Sequence, residues 1–559
     1  MSHPDGRDSP PGGDLRRRPA YWILAALTVL GFGLRIWESD VGLPEVYHSD
    51  HAQVQHAVDL LSHGTFVNTA TYPLTNVFVL AAADTAVYLA DSLQADRTWP
   101  DWQSFVADLG RPELRHTVAR AYAAAVGALL ALGVYCLARL RFSRRVALLA
   151  AALAAVDPMQ VIYSHQARIH VPGSVLLCLA SVPVLSLGVR SVTVRSVLIA
   201  GCAAGVVAAF FQLGFLLLAT AGILLAVHVR PVPRLLGLGA LTVGAFFLVV
   251  QSADAITGLW VSEESFLWAD RPGTLGIPTV TLGWDFAGQF PSFVLTWIAA
   301  RPACAAGLLA CLGLVIARRG QAAGRPARQD LLLYGSYPVL VMLVLGTNYA
   351  HPRYHMTASL FLVVLAAAGC MSLRTTWMRT GLAALLVVVP LANSARYDAL
   401  LDTRDTRIEL RGMLDALAGA DSRVTVQDSL LGWSRSPPPG VERFPPRGSF
   451  SAWSQGTSTP AETLIRGGAE IYIRVSGNTL NDRLTRSDLA ALGFSLFGEI
   501  ASAPIQKMTY LPDAPRHLVP DLWLTSRAGP PIEIWARGAT AESRLRRAAL
   551  EETLSWPGP

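Results

Sequence analysis

Three short stretches of this chain combine residue types that can do acid, base or phosphate chemistry. Tyr47-His48-Ser49-Asp50-His51 sets a carboxylate between two imidazoles, just ahead of a helix-like run from Ala52 to Leu61. An aspartate in that company can be a general base or a metal ligand, and equally an N-cap that accepts from the free N–H groups of the helix's first turn. Tyr163-Ser164-His165-Gln166-Ala167-Arg168-Ile169-His170 brings an arginine between two histidines. Thr347-Asn348-Tyr349-Ala350-His351-Pro352-Arg353-Tyr354-His355 does so again. An arginine in such a place needs an anion or a carboxylate; for Arg353 the alternatives are snorkelling to lipid headgroups and clamping a phosphate.

What must position these stretches is a membrane-embedded scaffold. Apolar residues make up 52% of the 559 and charged residues 15%, with mean hydropathy +0.38, a balance that excludes an ordinary soluble enzyme. Lys507 is the only lysine, so the net charge of +6 comes from arginine. Those arginines sit at the ends of apolar runs, where they orient a chain in a bilayer, and this argues against nucleic acid as a partner. All six cysteines (Cys136, Cys178, Cys202, Cys304, Cys311, Cys370) fall inside apolar runs and read as small hydrophobes.

Apolar runs at about 20–37, 117–138, 146–163, 171–189, 196–211, 213–229, 235–251, 297–317, 331–347, 355–373 and 379–395 predict about eleven transmembrane helices. Arg16–Arg18, Arg139–Arg145, Arg190 and Arg195, Arg230 and Arg234, Arg318–Arg328, and Arg374 and Arg379 then all fall in loops on one side, the cytoplasm. Counting 72–92 as a further span would break that alternation. The segment therefore reads as a juxtamembrane helix within a large first outer loop, about 38–115. The expected organisation is a polar, disordered cytoplasmic N-terminus (1–18), an α-helical polytopic membrane domain (19–395), and a soluble α/β extracytoplasmic domain (396–559). In that last domain Val424-Thr425-Val426, Ile471-Tyr472-Ile473 and Ile532-Glu533-Ile534 are β-prone, 433–460 reads as a loop, and 540–554 as an amphipathic helix. The three polar stretches all come out on the outer side, together offering one carboxylate and at least two basic groups to one cavity.

At these residues the chain resembles the polytopic glycosyltransferases of the C superfamily, in particular the protein O-mannosyltransferase and lipid A aminoarabinose transferase branch. The resemblance is carried by the histidine and aspartate before the first-loop helix, Tyr72-Pro73-Leu74, Asp157-Pro158 leading to Tyr163–Arg168, Arg353-Tyr354, Asp405-Thr406-Arg407, and Pro530-Pro531-Ile532-Glu533-Ile534. It implies an enzyme of a bacterial plasma membrane that takes a sugar from a polyprenyl-phosphate carrier on the outer face and passes it to a lipid, glycan or protein acceptor. It implies Asp50 as the general base and Arg353 and Arg168 on the donor phosphate, with His48, His51, His165, His170 and Tyr354 as further site candidates. The chain departs from the family's pattern where His51 and His170 stand in place of acidic residues and Gln212 in place of a lysine. Those exchanges open the possibility of a divalent metal held by Asp50, His51 and His170, since imidazoles with a carboxylate suit a transition metal better than magnesium. A transporter or lipid flippase, or an inactive glycosyltransferase-like scaffold, are the alternative readings. The placement of the polar residues at helix ends, away from the bilayer midplane, favours catalysis over transport.

Overall fold

The computed structural model describes residues 18–40, 51–66, 75–166, 169–211, 213–260, 305, 324–345, 356–403, 406–417, 423–427, 440–444, 468–475, 484–500 and 532–555. In chain order the helices are α1 (Arg18–Ile36), α2 (His51–His63), α3 (Thr75–Ser92), α4 (Trp102–Leu109), α5 (Pro112–Ala128), α6 (Leu130–Arg139), α7 (Arg144–Ala155), α8 (Pro158–Ser164) and α9 (His170–Ser186). They continue with α10 (Val194–Phe210), α11 (Gly214–His228), α12 (Val232–Gly258), α13 (Gly324–Leu345), α14 (Met356–Met371), α15 (Thr376–Leu401) and α16 (Thr406–Leu417). Strands β1 (Val424–Gln427), β2 (Val441–Phe444) and β3 (Ile471–Val475) follow, then α17 (Arg486–Ala491), β4 (Ser495–Ile500), β5 (Ile532–Ala536) and α18 (Ala539–Ser555).

The chain divides into two compact units, the first made of 1–37, 64–80 and 120–394, the second of 38–63, 81–119 and 395–559. In the first, α6, α7 and α9–α14 enclose one continuous apolar core. One backbone-close contact in it is α10 on α12: a Cβ built on Gly201 would lie 2.3 Å from the Thr242 carbonyl oxygen, and one on Gly205 would lie 2.8 Å from that of Phe246. Small residues four apart let two helix backbones approach where any side chain would hold them off. Upstream, Thr193 and Ser196 form a reciprocal capping box that starts α10.

The expectation of about eleven spans does not hold. Among the described residues four helical stretches are long and apolar enough to cross a membrane, Pro19–Ile36, Pro112–Arg139, Val232–Thr257 and Thr376–Leu417, or five if the bent pair Arg144–Ala155 and Pro158–Ser164 is one span. For four of the runs the reason is length. The apolar runs at 171–189, 196–211, 213–229 and 355–373 form helices of only 17, 17, 15 and 16 residues, about 25 Å or less at 1.5 Å per residue, against a hydrocarbon core of about 30 Å. Asp157-Pro158 bends another run by 45°, and the run at 297–317 lies outside the described residues save for residue 305. The odd span count that placed the C-terminal domain outside falls with this correction. The chain is nonetheless a polytopic membrane protein with a partly β-structured C-terminal region.

In the second unit the sheet runs β2-β1-β3-β5-β4, with β1 parallel to β2 and β3, and β5 antiparallel to β3 and β4. Strand alternation sorts its two faces. Ile471, Ile473, Ile532, Ile534 and Ala536 pack with α16 and α18, while Tyr472 and Trp535 pack on the other side with Leu489 and Phe494. β1, β3 and β5 fall on the three β-prone runs. β2 lies inside 433–460, which reads from its Pro, Ser and Gly content as a loop; four residues pairing in parallel with β1 are too short to stand out in that background. In the same unit Val58 of α2 packs with Phe105 and Leu109 of α4, with Val87 and Tyr88 of α3 against them.

Candidate functional site

His48, Asp50, Arg168, Arg353 and Tyr354 lie outside the described residues, and of His51 only the backbone is described, as the first residue of α2. Asp50 is thus the residue directly before a helix of 13 residues, the position from which a carboxylate caps a first turn.

The structure fixes the helix ends from which the polar stretches run. α8 begins at Asp157, whose side chain accepts from the Met159 N–H at 2.9 Å, with Pro158 in the first turn. Ser359 on α14 donates to the same carboxylate at 3.3 Å. Gln160 on α8 donates to the carbonyl of Met356, the first residue of α14, at 3.3 Å. At the far end of α8, His165 is buried. Its Nδ1 is 3.0 Å from the Val161 carbonyl oxygen and its Nε2 is 2.7 Å from that of Trp37, just past the end of α1. Three elements are therefore tied together: α1, which leads into the stretch with His48 and Asp50; α8, which leads into the one with Arg168; and α14, which follows Arg353-Tyr354.

Of the two described site candidates, His165 turns both ring nitrogens to carbonyl oxygens of this bundle, and as a neutral imidazole it donates to one of them. His170 opens α9 at 1% exposure, edge-on to Tyr163 (6.4 Å between centroids) and to Phe211 (5.6 Å). A Cβ on Gly173, one turn further along α9, would lie 2.7 Å from the Phe211 ring, so the glycine makes room for that aromatic wall. In the proposed metal set, Asp50 and the His51 side chain are not described. Among the described residues no group of three or more His, Cys, Asp or Glu is arranged to hold a metal ion.

Two features escape sequence reasoning here. Arg35 lies in the last turn of α1 and looks like an anchor at the end of an apolar run, yet it is fully buried. It donates to the carbonyls of Gly31 and Ala155, both at 2.8 Å, and of Ala154 at 3.3 Å, so a cation sits on the C-terminal carbonyls of α7 where the bent pair breaks. Gly127 makes room for it: a Cβ there would lie 2.9 Å from Arg35 Cδ. The other feature is Glu533, a residue of the Pro530–Ile534 motif. It is 1% exposed and accepts from Arg474 Nε (2.8 Å), Trp535 Nε1 (3.0 Å), and Arg486 Nε (2.9 Å) and Nη2 (2.6 Å). Burial alone would raise its carboxyl, but the hydrogen bonds from Arg486 and the charge and hydrogen bond of Arg474 bring it below the usual carboxylate range. This part of the motif holds the sheet together.

No family model matches the chain, and no curated protein matches it. Solved structures do. The oligosaccharyltransferase AglB from Archaeoglobus fulgidus, in complex with an inhibitory peptide and a dolichol-phosphate, superposes with TM-score 0.48 at 13% identity over 83% of this chain and 70% of that one. ArnT from Cupriavidus metallidurans superposes with TM-score 0.45 at 14% identity, in the apo state over 86% of this chain and 95% of that one, and bound to undecaprenyl phosphate over 86% and 96%. At this level of similarity the likeness bears on neither substrate nor chemistry.

Proposed function

We propose that the chain is an integral membrane glycosyltransferase that moves a sugar from a polyprenyl-phosphate carrier to an acceptor hydroxyl or phosphate at the outer face of the membrane. Asp50 is the general base that takes the acceptor's proton, and Arg353, with Arg168, takes up the charge that develops on the leaving lipid phosphate. The observation that carries this reading is the junction of α1, α8 and α14, because the three stretches bearing the carboxylate and the two arginines all adjoin helices joined there by His165–Trp37 and Gln160–Met356. An inverting transfer needs a carboxylate for the acceptor's proton and a fixed cation for the leaving phosphate, and stretches that start from helix ends tied to one another support that reading.

The side of the membrane follows from the arginines, independently of the span count. Arg374 and Arg379 flank the start of α15, so its other end, which leads to the C-terminal domain, faces outward. Purified protein supplied with labelled polyprenyl-phosphate sugars should release polyprenyl phosphate and label an acceptor. A panel of such donors, hexoses and pentoses alike, that neither binds nor turns over would contradict the reading.

A further inference from the structure

Arg115 is a cation in a place that membrane anchoring does not explain. It is the fourth residue of α5, and α5 with α6 makes up the apolar span Pro112–Arg139. The basic cluster Arg139–Arg145 sits at the other end of that span, so Arg115 is not part of the group that anchors it. It is turned inward, 5% exposed, where a charge needs a partner. Among the described residues that partner is an amide. Its Nη1 donates to Gln55 Oε1 on α2, and Gln55 Nε2 donates in turn to Asp59 Oδ1 at 2.8 Å. Nε is buried and makes no hydrogen bond. Asp59 and Glu113 act on the guanidinium through space, but neither makes an ion pair with it. All these residues belong to the second unit.

We propose that Arg115 binds the phosphodiester of a lipid. Its free edge, its depth and the charges around it select that ligand. With Nη1 spent on Gln55, the edge that remains is Nε–Nη2, two parallel N–H groups that match two oxygens of a phosphate or a carboxylate. Depth favours phosphate. The span has 28 residues, about 42 Å at 1.5 Å per residue against a hydrocarbon core of about 30 Å, so its first turn stands at headgroup level, where the phosphates of a bilayer lie. Charge favours a diester, because beside Asp59 and Glu113 a monoanion is repelled less than the dianion of a phosphomonoester. Gln55 and Asp59 are only half-buried, so the hydrogen-bonded row connects the guanidinium to the surface of the unit. Two lipids share this chemistry, a bilayer phospholipid and a polyprenyl-phosphate sugar. The assignment covers either source and does not depend on the glycosyltransferase reading.

The test uses the purified full-length protein, delipidated in detergent, with lipid binding read by native mass spectrometry and thermal melting read beside it. The probes are phosphatidylglycerol, a polyprenyl-phosphate hexose, and diacylglycerol, which lacks the phosphate. Arg115→Met should bind at least one of the two phosphodiesters about 10-fold or more weakly than wild type, the loss of a charge-assisted contact, with diacylglycerol unaffected. The probe that loses affinity identifies the source. Arg115→Lys, which keeps the charge and loses the fork, should lose about 3-fold. Gln55→Glu leaves the arginine in place and sets a carboxylate against it, so it should fold and bind the same lipid about 10-fold more weakly; it carries the test if Arg115→Met does not fold. Wild-type affinity for both phosphodiesters in Arg115→Met, or in Gln55→Glu, overturns the assignment. So does an equal loss for diacylglycerol, or a wild-type protein that binds neither phosphodiester.

Discussion

Glu533→Leu should open the C-terminal sheet. The carboxylate is 1% exposed, and its cross-strand partner Arg474 keeps 8% of its side chain accessible, with Nε 2.8 Å from Glu533 Oε2 and the guanidinium over the Trp535 ring at 5.7 Å. Removing the acid leaves Arg474 charged inside the sheet without its carboxylate, a loss of about 3–5 kcal/mol for a buried pair broken on one side. Arg486 adds little, because its side chain is 49% exposed and solvent screens it, so its share is about 1 kcal/mol or less. Replacing both buried partners, Glu533→Leu with Arg474→Leu, removes the stranded charge as well and should recover most of the loss, to within about 1–2 kcal/mol of wild type. Hydrogen exchange of peptides covering 471–475 and 532–536 reads the local opening free energy directly. The pH dependence has a definite sign. Since the folded carboxyl is held below its unfolded value of 4.5, the pair's stabilisation is complete above that value and is lost as pH falls below it. A single variant that costs under 1 kcal/mol, or a double variant no more stable than the single, would refute the argument.

Further consequences follow from packing and charge. Gly201→Leu drives a side chain into the Thr242 carbonyl on α12 and should lower the melting temperature of the detergent-solubilised protein, by the equivalent of about 3 kcal/mol or more. Gly222→Leu, where no atom lies within 4 Å of the added Cβ, should leave it nearly unchanged. Arg353→Ala should weaken binding of the sugar donor strongly and Arg353→Lys partially, since lysine keeps the charge and loses the planar fork; unchanged affinity in the alanine variant would return Arg353 to headgroup snorkelling. A reporter enzyme fused after Asp398 should be active only outside the cytoplasm, the outcome required by the proposed orientation with Arg374 and Arg379 inside.

The sequence makes the membrane scaffold legible through its apolar runs and arginines, but it does not show where those runs break. Asp157-Pro158 reads as a motif and acts as a helix start inside a bent pair. Runs interrupted near Arg190–Arg195 and Gln212 become helices too short to count as spans on length alone. Buried charges are the other blind spot. Arg35 and Asp84 each sit in an otherwise apolar run, where sequence gives no sign of whether a charge points outward or inward. Only the α7 carbonyls around the first, and the burial of the second with no hydrogen bond among the described residues, separate an anchor from a constrained group. Glu533 shows the converse, since a residue that resembles part of an enzyme family's signature is fully occupied by Arg474, Arg486 and Trp535.

The central proposal is that Asp50, directly before α2, is a base and not merely a cap, and Asp50→Asn separates the two roles. Asparagine caps a helix about as well as aspartate but cannot take the acceptor's proton. The decisive measurement is single-turnover transfer from a labelled polyprenyl-phosphate sugar, run beside donor binding and thermal melting on the same preparation. The account predicts normal melting, normal donor affinity and a transfer rate lower by about 10²-fold or more. An Asp50→Asn protein that transfers sugar at the wild-type rate would contradict it and move the proton to another group, with His51 and His170 the next to test.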